Sequence, residues 1–193
     1  MKLWTIQPVE VYKILMNDGI FVCDPEKSEF FTEWEGFKES YEWLVEQMNK
    51  RLGDKPDYVR FPIWAWHTVE GKHKKIDLRR SEFRNYREPS VCMEVEIDDD
   101  KVLLSDERAW YFVLNKWFLA SSDEEHDYFV NLEDELLKKK IMRKSWDKIF
   151  DLNFKSEDGY IEMGEYVQAT FWELRKEQVR NVRFMKHTMK TKR

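Results

Sequence analysis

The chain has few of the residues on which recognisable reaction centres are built. Its 193 residues include two cysteines, four histidines and six glycines. Two cysteines are too few for a disulfide framework or a cysteine-based zinc site, which favours a reducing cytoplasm. The histidines follow no metal-ligand spacing, and the glycines form no phosphate-binding loop. The sequence therefore predicts neither a metal site nor P-loop chemistry.

Long apolar runs are missing as well. A transmembrane helix needs about 20 apolar residues in succession, and no stretch of this chain approaches that length. The first ten residues, MKLWTIQPVE, do not have the pattern of a signal peptide. No Gly-x-Ser-x-Gly elbow is present, and Cys23 has no evident base partner. We therefore expect a cytoplasmic protein that does not enter the membrane.

Aromatic residues, by contrast, are abundant. The chain contains nine tryptophans, and aromatic residues make up 16% of it. Such a composition predicts a large core within one globular domain over residues 1–193, which ends in a basic tail at about 186–193. A buried indole needs an acceptor for its N–H, so these rings either build a core or line a cleft for a planar ligand. The sequence leaves both alternatives open.

The spacing of apolar residues predicts an α+β fold with a mostly antiparallel sheet and packed helices. Val91 to Ile97 alternates and is expected to be half-exposed, with Cys92 outward. Ser105 is predicted to cap a helix that buries Trp117, and Ser121 or Ser122, each in a capping box, to open a helix reaching Leu137. Strands are predicted at 2–6, 20–22, 58–66, 91–97, 102–104, 166–172 and 179–185, and further helices at 9–18 and between Gly36 and Gly53.

Charge is unevenly distributed along the chain. The first basic segment, Lys72 to Arg87, carries a net +5, and the second basic segment, Arg175 to Arg193, carries +7. The rest of the chain carries −17, because the whole carries −5. Such segregation suits a phosphate-bearing nucleic acid or an acidic protein as partner. Solvated helix faces and a frayed tail would also explain it.

Two tryptophans that share a strand face are the first candidate for ligand binding. Trp64 and Trp66 would stack a planar base. Phosphates would then be held by Arg79, from the loop sequence Asp77-Leu-Arg79, or by Arg51. The alternatives are that both rings are core, that Asp77 and Arg79 form a structural salt bridge, and that Arg51 extends from the core edge.

Gln168 is the second candidate. In a strand it shares a face with Thr170 and Trp172, so that a neutral amide lies on a polar and aromatic surface. The amide would bind a ribose hydroxyl or a neighbouring strand. Thr5 and Gln7 share one face of the first strand, and they would line the same site if the two strands were neighbours.

Several phrases are similar to a known family. They are LWTIQ, PIWAW with KKIDLRR after it, VLLSD before a tryptophan-containing helix, and QATFWELRKEQV. Together they resemble a bacterial family of domains of unknown function, numbered 3841, over almost the whole chain. The resemblance implies one conserved-length domain and no particular chemistry.

The order of elements also resembles the ADP-ribosyltransferase-like fold, which includes the RNA 2′-phosphotransferases. LWTIQ followed by a helix matches the opening of that fold, and VQATFWEL its closing strand. The resemblance implies NAD as cofactor, Gln168 in the position of the catalytic acid, and Thr5 or Gln7 in place of the usual first-strand residue. It implies transfer of a group to a macromolecule. The alternative is a non-catalytic module that binds nucleic acid or protein through its basic segments.

Overall fold

A six-stranded antiparallel sheet forms the centre of the computed structural model, which describes residues 1–24, 35–83 and 89–185. The strand order is β5-β6-β3-β1-β4-β8, and β2 pairs with β7 in a separate small sheet. The α+β fold and the antiparallel pairing agree with the prediction. The strands are β1 Lys2–Pro8, β2 Ile20–Val22, β3 Ile63–Thr68, β4 Ser90–Glu96, β5 Leu103–Asp106, β6 Val167–Phe171, β7 Glu173–Arg175 and β8 Val179–Phe184.

Five α-helices accompany the strands in the described part of the chain. The first ends as predicted, because Gly19 adopts a left-handed φ of 80° and donates its N–H to the Leu15 carbonyl. No helix among the described residues is long and apolar enough to cross a bilayer. The helices are α1 Val9–Asp18, α2 Lys38–Leu52, α3 Glu107–Leu114, α4 Asp123–Val130 and α5 Glu135–Ser145.

The start of α3 differs from the prediction by one residue. Ser105 lies within β5, and Asp106 is the capping residue, since its carboxylate accepts the N–H of Ala109. The other carboxylate oxygen of Asp106 accepts the N–H of Gly164. Trp117 is 57% exposed beyond the end of α3, so the prediction that this helix buries it is wrong.

The helix predicted from Ser121 to Leu137 is two helices. Ser122 caps α4 by accepting the N–H of Glu125, and Asp134 caps α5 by accepting two further backbone N–H groups. The chain turns between Asn131 and Asp134. A second cap inside the apolar pattern was the signal for this break, because a capping side chain competes with a continuous helix.

The register of the central sheet determines which side chains share a face. The side chains of residues paired across adjacent strands lie on the same face of the sheet, so one row of paired side chains crosses this face from β5 to β8. The opposite face packs Leu3, Ala65 and Ala169 against Leu15 of α1. The row consists of Ser105, Gln168, Trp66, Trp4, Glu94 and Asn181.

Two hydrophobic clusters cover the face that carries this row. One lies beneath α2 and α3 and includes Leu103 and the partly buried Trp64. The other includes Trp4 and Cys92, packed against Ile76 and Phe83 from the segment after β3. Cys92 is therefore only 1% exposed, so its predicted exposure is wrong, whereas Glu94 is partly exposed and Glu96 is exposed as predicted. The segment that covers β4 has no periodicity from which its position could be predicted.

Candidate functional site

Three of the predicted site residues lie side by side on the sheet. Trp66 of β3 is directly opposite Gln168 of β6, and Trp64 is opposite Thr170. Gln168, Trp64 and Trp66 are partly buried although β3 and β6 are interior strands. The three side chains occupy the boundary between the two clusters.

The two tryptophan rings belong to different clusters. Trp64 packs against Tyr41 and Trp110, with ring centroids 6.3 and 5.2 Å away. Trp66 meets the edge of Phe83 at 5.6 Å. Most of the surface of each ring therefore packs in the core, which agrees with the alternative that Trp64 and Trp66 are core residues.

Thr5 and Gln7 lie on the opposite face of the sheet. Thr5 is fully buried and donates its hydroxyl to the carbonyl of Trp64, while Gln7 donates its amide to Thr5. Strand β3 separates β1 from β6. Thr5 and Gln7 were predicted to line the Gln168 site if β1 and β6 were neighbours. The two strands are not neighbours, and the side chains of Thr5 and Gln7 lie on the other face of the sheet from Gln168.

The predicted phosphate ligands are held elsewhere. Asp77 and Arg79 form a two-pronged ion pair, with one N–O distance of 2.7 Å, and the Arg79 side chain is 87% exposed. Arg51 lies over the ring of Phe150 and is 3.8 Å from the carboxylate of Asp147. Both arginines thus follow the structural alternative, and the structure does not gather them around Gln168.

A hydrogen bond joins the two basic segments. The guanidinium of Arg183 in β8 donates to the carbonyl of Ile76 at 3.0 Å and to the sulfur of Cys92 at 3.4 Å. Met185 packs in the same cluster as Ile76. Segments that are 107 residues apart in sequence are therefore adjacent in space.

A tight turn presents the lysines of the first basic segment. Val69 and Lys72 exchange backbone hydrogen bonds, and Glu70 and Gly71 between them both have positive φ, as in a type I′ hairpin. The N–H of Gly71 donates to the carbonyl of Glu165 and fixes the turn to the segment before β6. Three exposed lysines follow that form no ion pair with any described residue. They are Lys72, Lys74 and Lys75.

Ion pairs neutralise several other cations of these segments. Arg80 contacts the carboxylates of Glu70 and Glu82, and the Arg80 guanidinium lowers the pKa of Glu82 to about 2. Arg175 pairs with Glu173 in the same way. Sequence counting therefore overstated the free charge of both segments. Arg84, Arg87 and the tail 186–193 lie outside the described residues.

A histidine pair adjoins the lysines, and the sequence analysis missed it. The rings of His67 and His73 are 4.0 Å apart, and His73 lies 5.5 Å from the Trp4 ring. Burial, followed by repulsion from His73, lowers the pKa of His67 to about 4. Burial and the nearby N-terminal ammonium lower the pKa of His73 as well. Both rings are thus neutral near pH 7.

Glu94 of β4 contacts two residues of the first strand. Its carboxylate accepts the indole N–H of Trp4 at 3.2 Å and contacts the Lys2 ammonium at 3.1 Å. Burial acts to raise the pKa of Glu94, but the hydrogen bonds from Lys2 and Trp4 outweigh it and lower that pKa. The carboxylate is therefore charged and balances one cation of this surface.

Comparison with known proteins identifies the family of this chain. The family model described as Domain of unknown function (DUF3841) matches residues 2–180. No curated protein and no solved structure matches the chain significantly. Because the family model covers most of the chain, the chain belongs to the DUF3841 family.

Proposed function

We propose that this protein is a non-catalytic module that binds nucleic acid through one basic surface. The observation that carries the proposal is the bond from Arg183 to Ile76, which joins the two basic segments. We place the activity in the cytoplasm, where the free thiols of Cys23 and Cys92 stay reduced. The basic surface consists of Lys2, Lys72, Lys74, Lys75, Arg180 and Arg183.

The charge balance of the surface suits a polyanion. Its six cations face two carboxylates, those of Glu94 and Glu96, which leaves a net formal charge of +4. Each phosphate that such a cation neutralises releases a condensed counterion, which provides most of the affinity at low salt. The sequence of the second basic segment continues with Lys186, Lys190, Lys192 and Arg193, which lie outside the described residues.

The side chains on the surface favour binding that does not depend on base sequence. Lysine ammonium groups are compact point charges, which contact phosphate without reading base edges. Trp4, the large ring beneath the surface, is only 2% exposed and offers no stacking face. We therefore expect similar affinity for nucleic acids of different sequence but the same strand type. The net positive charge of the surface suits the continuous phosphate backbone of a nucleic acid better than a small acidic patch on a protein.

Fluorescence anisotropy with a labelled single-stranded RNA and a DNA duplex tests the proposal. The slope of log K against log salt should be negative, and Lys72→Ala/Lys74→Ala/Lys75→Ala should reduce its magnitude by about 2. The matched control, Lys13→Ala/Lys38→Ala/Lys50→Ala, removes the same charge from exposed helical positions and should leave the slope unchanged.

Three outcomes would contradict the proposal. They are the absence of binding at low salt, binding that salt does not weaken, and an equal loss in both triple variants. Binding to polyglutamate but to neither nucleic acid would instead support the acidic-protein alternative.

A nucleotide site at Gln168 is the second candidate, which the ADP-ribosyltransferase-like resemblance suggests. One observation favours it: the hydroxyl of Ser105 is 1% exposed and has no hydrogen-bond partner, although Ser105 is directly opposite Gln168. A buried unpaired hydroxyl is costly unless something binds it. Together with Trp66, the row offers an amide, a hydroxyl and a ring to a ribose and its base.

Incubation with NAD tests this candidate through nicotinamide release and a thermal shift. Gln168→Ala should abolish both signals. Asn181→Ala, which removes an amide from the same face at the far edge of the sheet, should preserve them. If NAD produces neither release nor a shift in the wild-type protein, this candidate is wrong, while the basic surface is unaffected.

A further inference from the structure

The hairpin formed by α4 and α5 is poorly buried. No residue of α4 is buried, and in α5 only Ser145 is. Phe129 stacks on Phe118 with ring centroids 4.1 Å apart, and Glu125 pairs with Lys148. These contacts fix one side of the hairpin to the rest of the molecule and leave the other side to solvent.

Large apolar side chains are exposed on this hairpin. They fall within ten residues of one another, a density unlike the single exposed apolar residues of ordinary surfaces. Lys138 ties the two helices together, because its ammonium donates to the carbonyls of Val130 and Leu132. The exposed fractions are 57% for Tyr128, 53% for Val130, 84% for Leu136 and 38% for Leu137.

The two helices carry opposite charges. The first turn of α4 is acidic, with Asp123, Glu124 and Glu125, whereas α5 carries three consecutive lysines from Lys138. On α5, Lys139 and Arg143 already pair with Glu39 of α2.

The remaining charges face outward. Glu124 of α4 is exposed, and Asp127 is 80% exposed, with its carboxylate 3.9 Å from the ring of His126. Lys140 and Lys144 of α5 are exposed, one helical turn apart, on the same stripe as Leu136. Neither lysine forms an ion pair with a described residue. The hairpin therefore has both an acidic and a basic outer helix face beside the exposed apolar side chains.

We infer that a second copy of this chain covers the hairpin. A two-fold axis would place α4 of one protomer against α5 of its partner, so that Glu124 and Asp127 meet Lys140 and Lys144 twice. A surface with both signs of charge is complementary to itself, and a two-fold contact closes after two copies. Leu136 would lie near the axis and lose its exposed apolar area.

The dimer should be reversible. Helices of 8 and 11 residues are about 12 and 17 Å long, which limits the contact to the low end of protein interfaces. Its charge pairs are exposed to solvent, so added salt weakens them. We expect a dissociation constant of about 1–50 μM at low ionic strength.

Sedimentation equilibrium on the wild-type protein and two charge-reversed variants tests the inference. Glu124→Lys/Asp127→Lys and Lys140→Glu/Lys144→Glu should each raise the dissociation constant at least about tenfold. Mixing the two variants should restore a one-to-one heterodimer in native mass spectrometry, because each reversed helix then meets an opposite charge in its partner.

Two controls separate this contact from other effects. Lys74→Glu/Lys75→Glu changes the net charge of the protein by the same amount as Lys140→Glu/Lys144→Glu, but on the basic surface. It should leave the dissociation constant of the dimer unchanged. Circular dichroism should show that both hairpin variants are folded. A wild-type protein that is monomeric at about 200 μM, or a mixture that stays monomeric, overturns the inference.

Discussion

The central sheet and the α4–α5 hairpin differ in how they use their side chains. On β1, Leu3, Trp4 and Thr5 are all 2% exposed or less, because both faces of the sheet are covered. Along α4 no residue is buried at all. Stability therefore resides in the sheet and its two covering clusters, whereas the hairpin contributes little core and leaves large apolar side chains exposed.

The largest expected effect lies where the hairpin joins the core. Trp146 is fully buried, meets Trp43 edge-on and donates its indole N–H to the Trp117 carbonyl at 2.7 Å. Trp146→Ala should lower the free energy of unfolding by about 3–5 kcal/mol. Leu136→Ala, at the exposed side of the hairpin, should change it by less than about 0.5 kcal/mol. Urea denaturation, monitored by tryptophan fluorescence, measures the free energy of unfolding of both variants. Similar losses of stability in the two variants would contradict the difference between core and hairpin.

Two helix caps provide a closer comparison. Asp106 is 2% exposed and accepts N–H groups from Ala109 and Gly164, so Asp106→Ala leaves two donors unpaired and should cost about 3 kcal/mol. Ser122 caps α4 at the surface, and Ser122→Ala should cost about 1 kcal/mol or less. Thermal unfolding of the two variants decides the question. Equal shifts in melting temperature would show that the hairpin is as tightly coupled to the core as α3.

The smallest effect is a pH dependence at the histidine pair. Burial and His73 depress the folded-state pKa of His67 to about 4, against an ordinary value of 6.5. Between pH 6.5 and 4 the unfolded chain thus binds more protons at His67 than the folded chain does. The free energy of unfolding is therefore highest above pH 6.5 and falls as the pH is lowered toward 4. Because the ring is partly exposed, we expect a loss of about 1 kcal/mol.

His67→Asn should reduce the slope of stability against pH between pH 6.5 and 4 and leave the share of His73, while His126→Asn on the exposed α4 should retain the wild-type slope. Urea denaturation at several pH values compares the two variants with the wild-type protein. Parallel curves for all three proteins would show that the pair does not titrate as described.

The fold was largely predictable where a periodic pattern faces a core. The cap of α1 at Gly19, the length of α2 and the inward side chains Val91, Met93 and Val95 of β4 all follow from local residue types. Errors arose where burial depends on distant segments. Cys92 is covered by Ile76, and Trp117 lies beyond the point at which α3 ends.

The candidate sites were less predictable, since they depend on strand order and on turns. Trp66 and Gln168 were correctly placed on strand faces, but Thr5 required knowledge that β3 separates β1 from β6. His67 and His73 meet only because the hairpin turn at Glu70 and Gly71 reverses the chain. The ion pairs within the basic segments did leave a signal. Acid and base alternate two residues apart at Asp77 and Arg79, Arg80 and Glu82, and Glu173 and Arg175.

One short segment has a mechanical consequence for both proposed sites. Gly164 holds the carboxylate at the start of α3, next to Ser105, and Glu165 holds the turn that carries the lysines. Two consecutive residues thus connect the start of α3, beside Ser105, to the turn at Glu70 and Gly71. If a ligand displaces Gly164 at one of the proposed sites, we expect the position of Glu165, and with it the turn before the lysines of the other proposed site, to change as well.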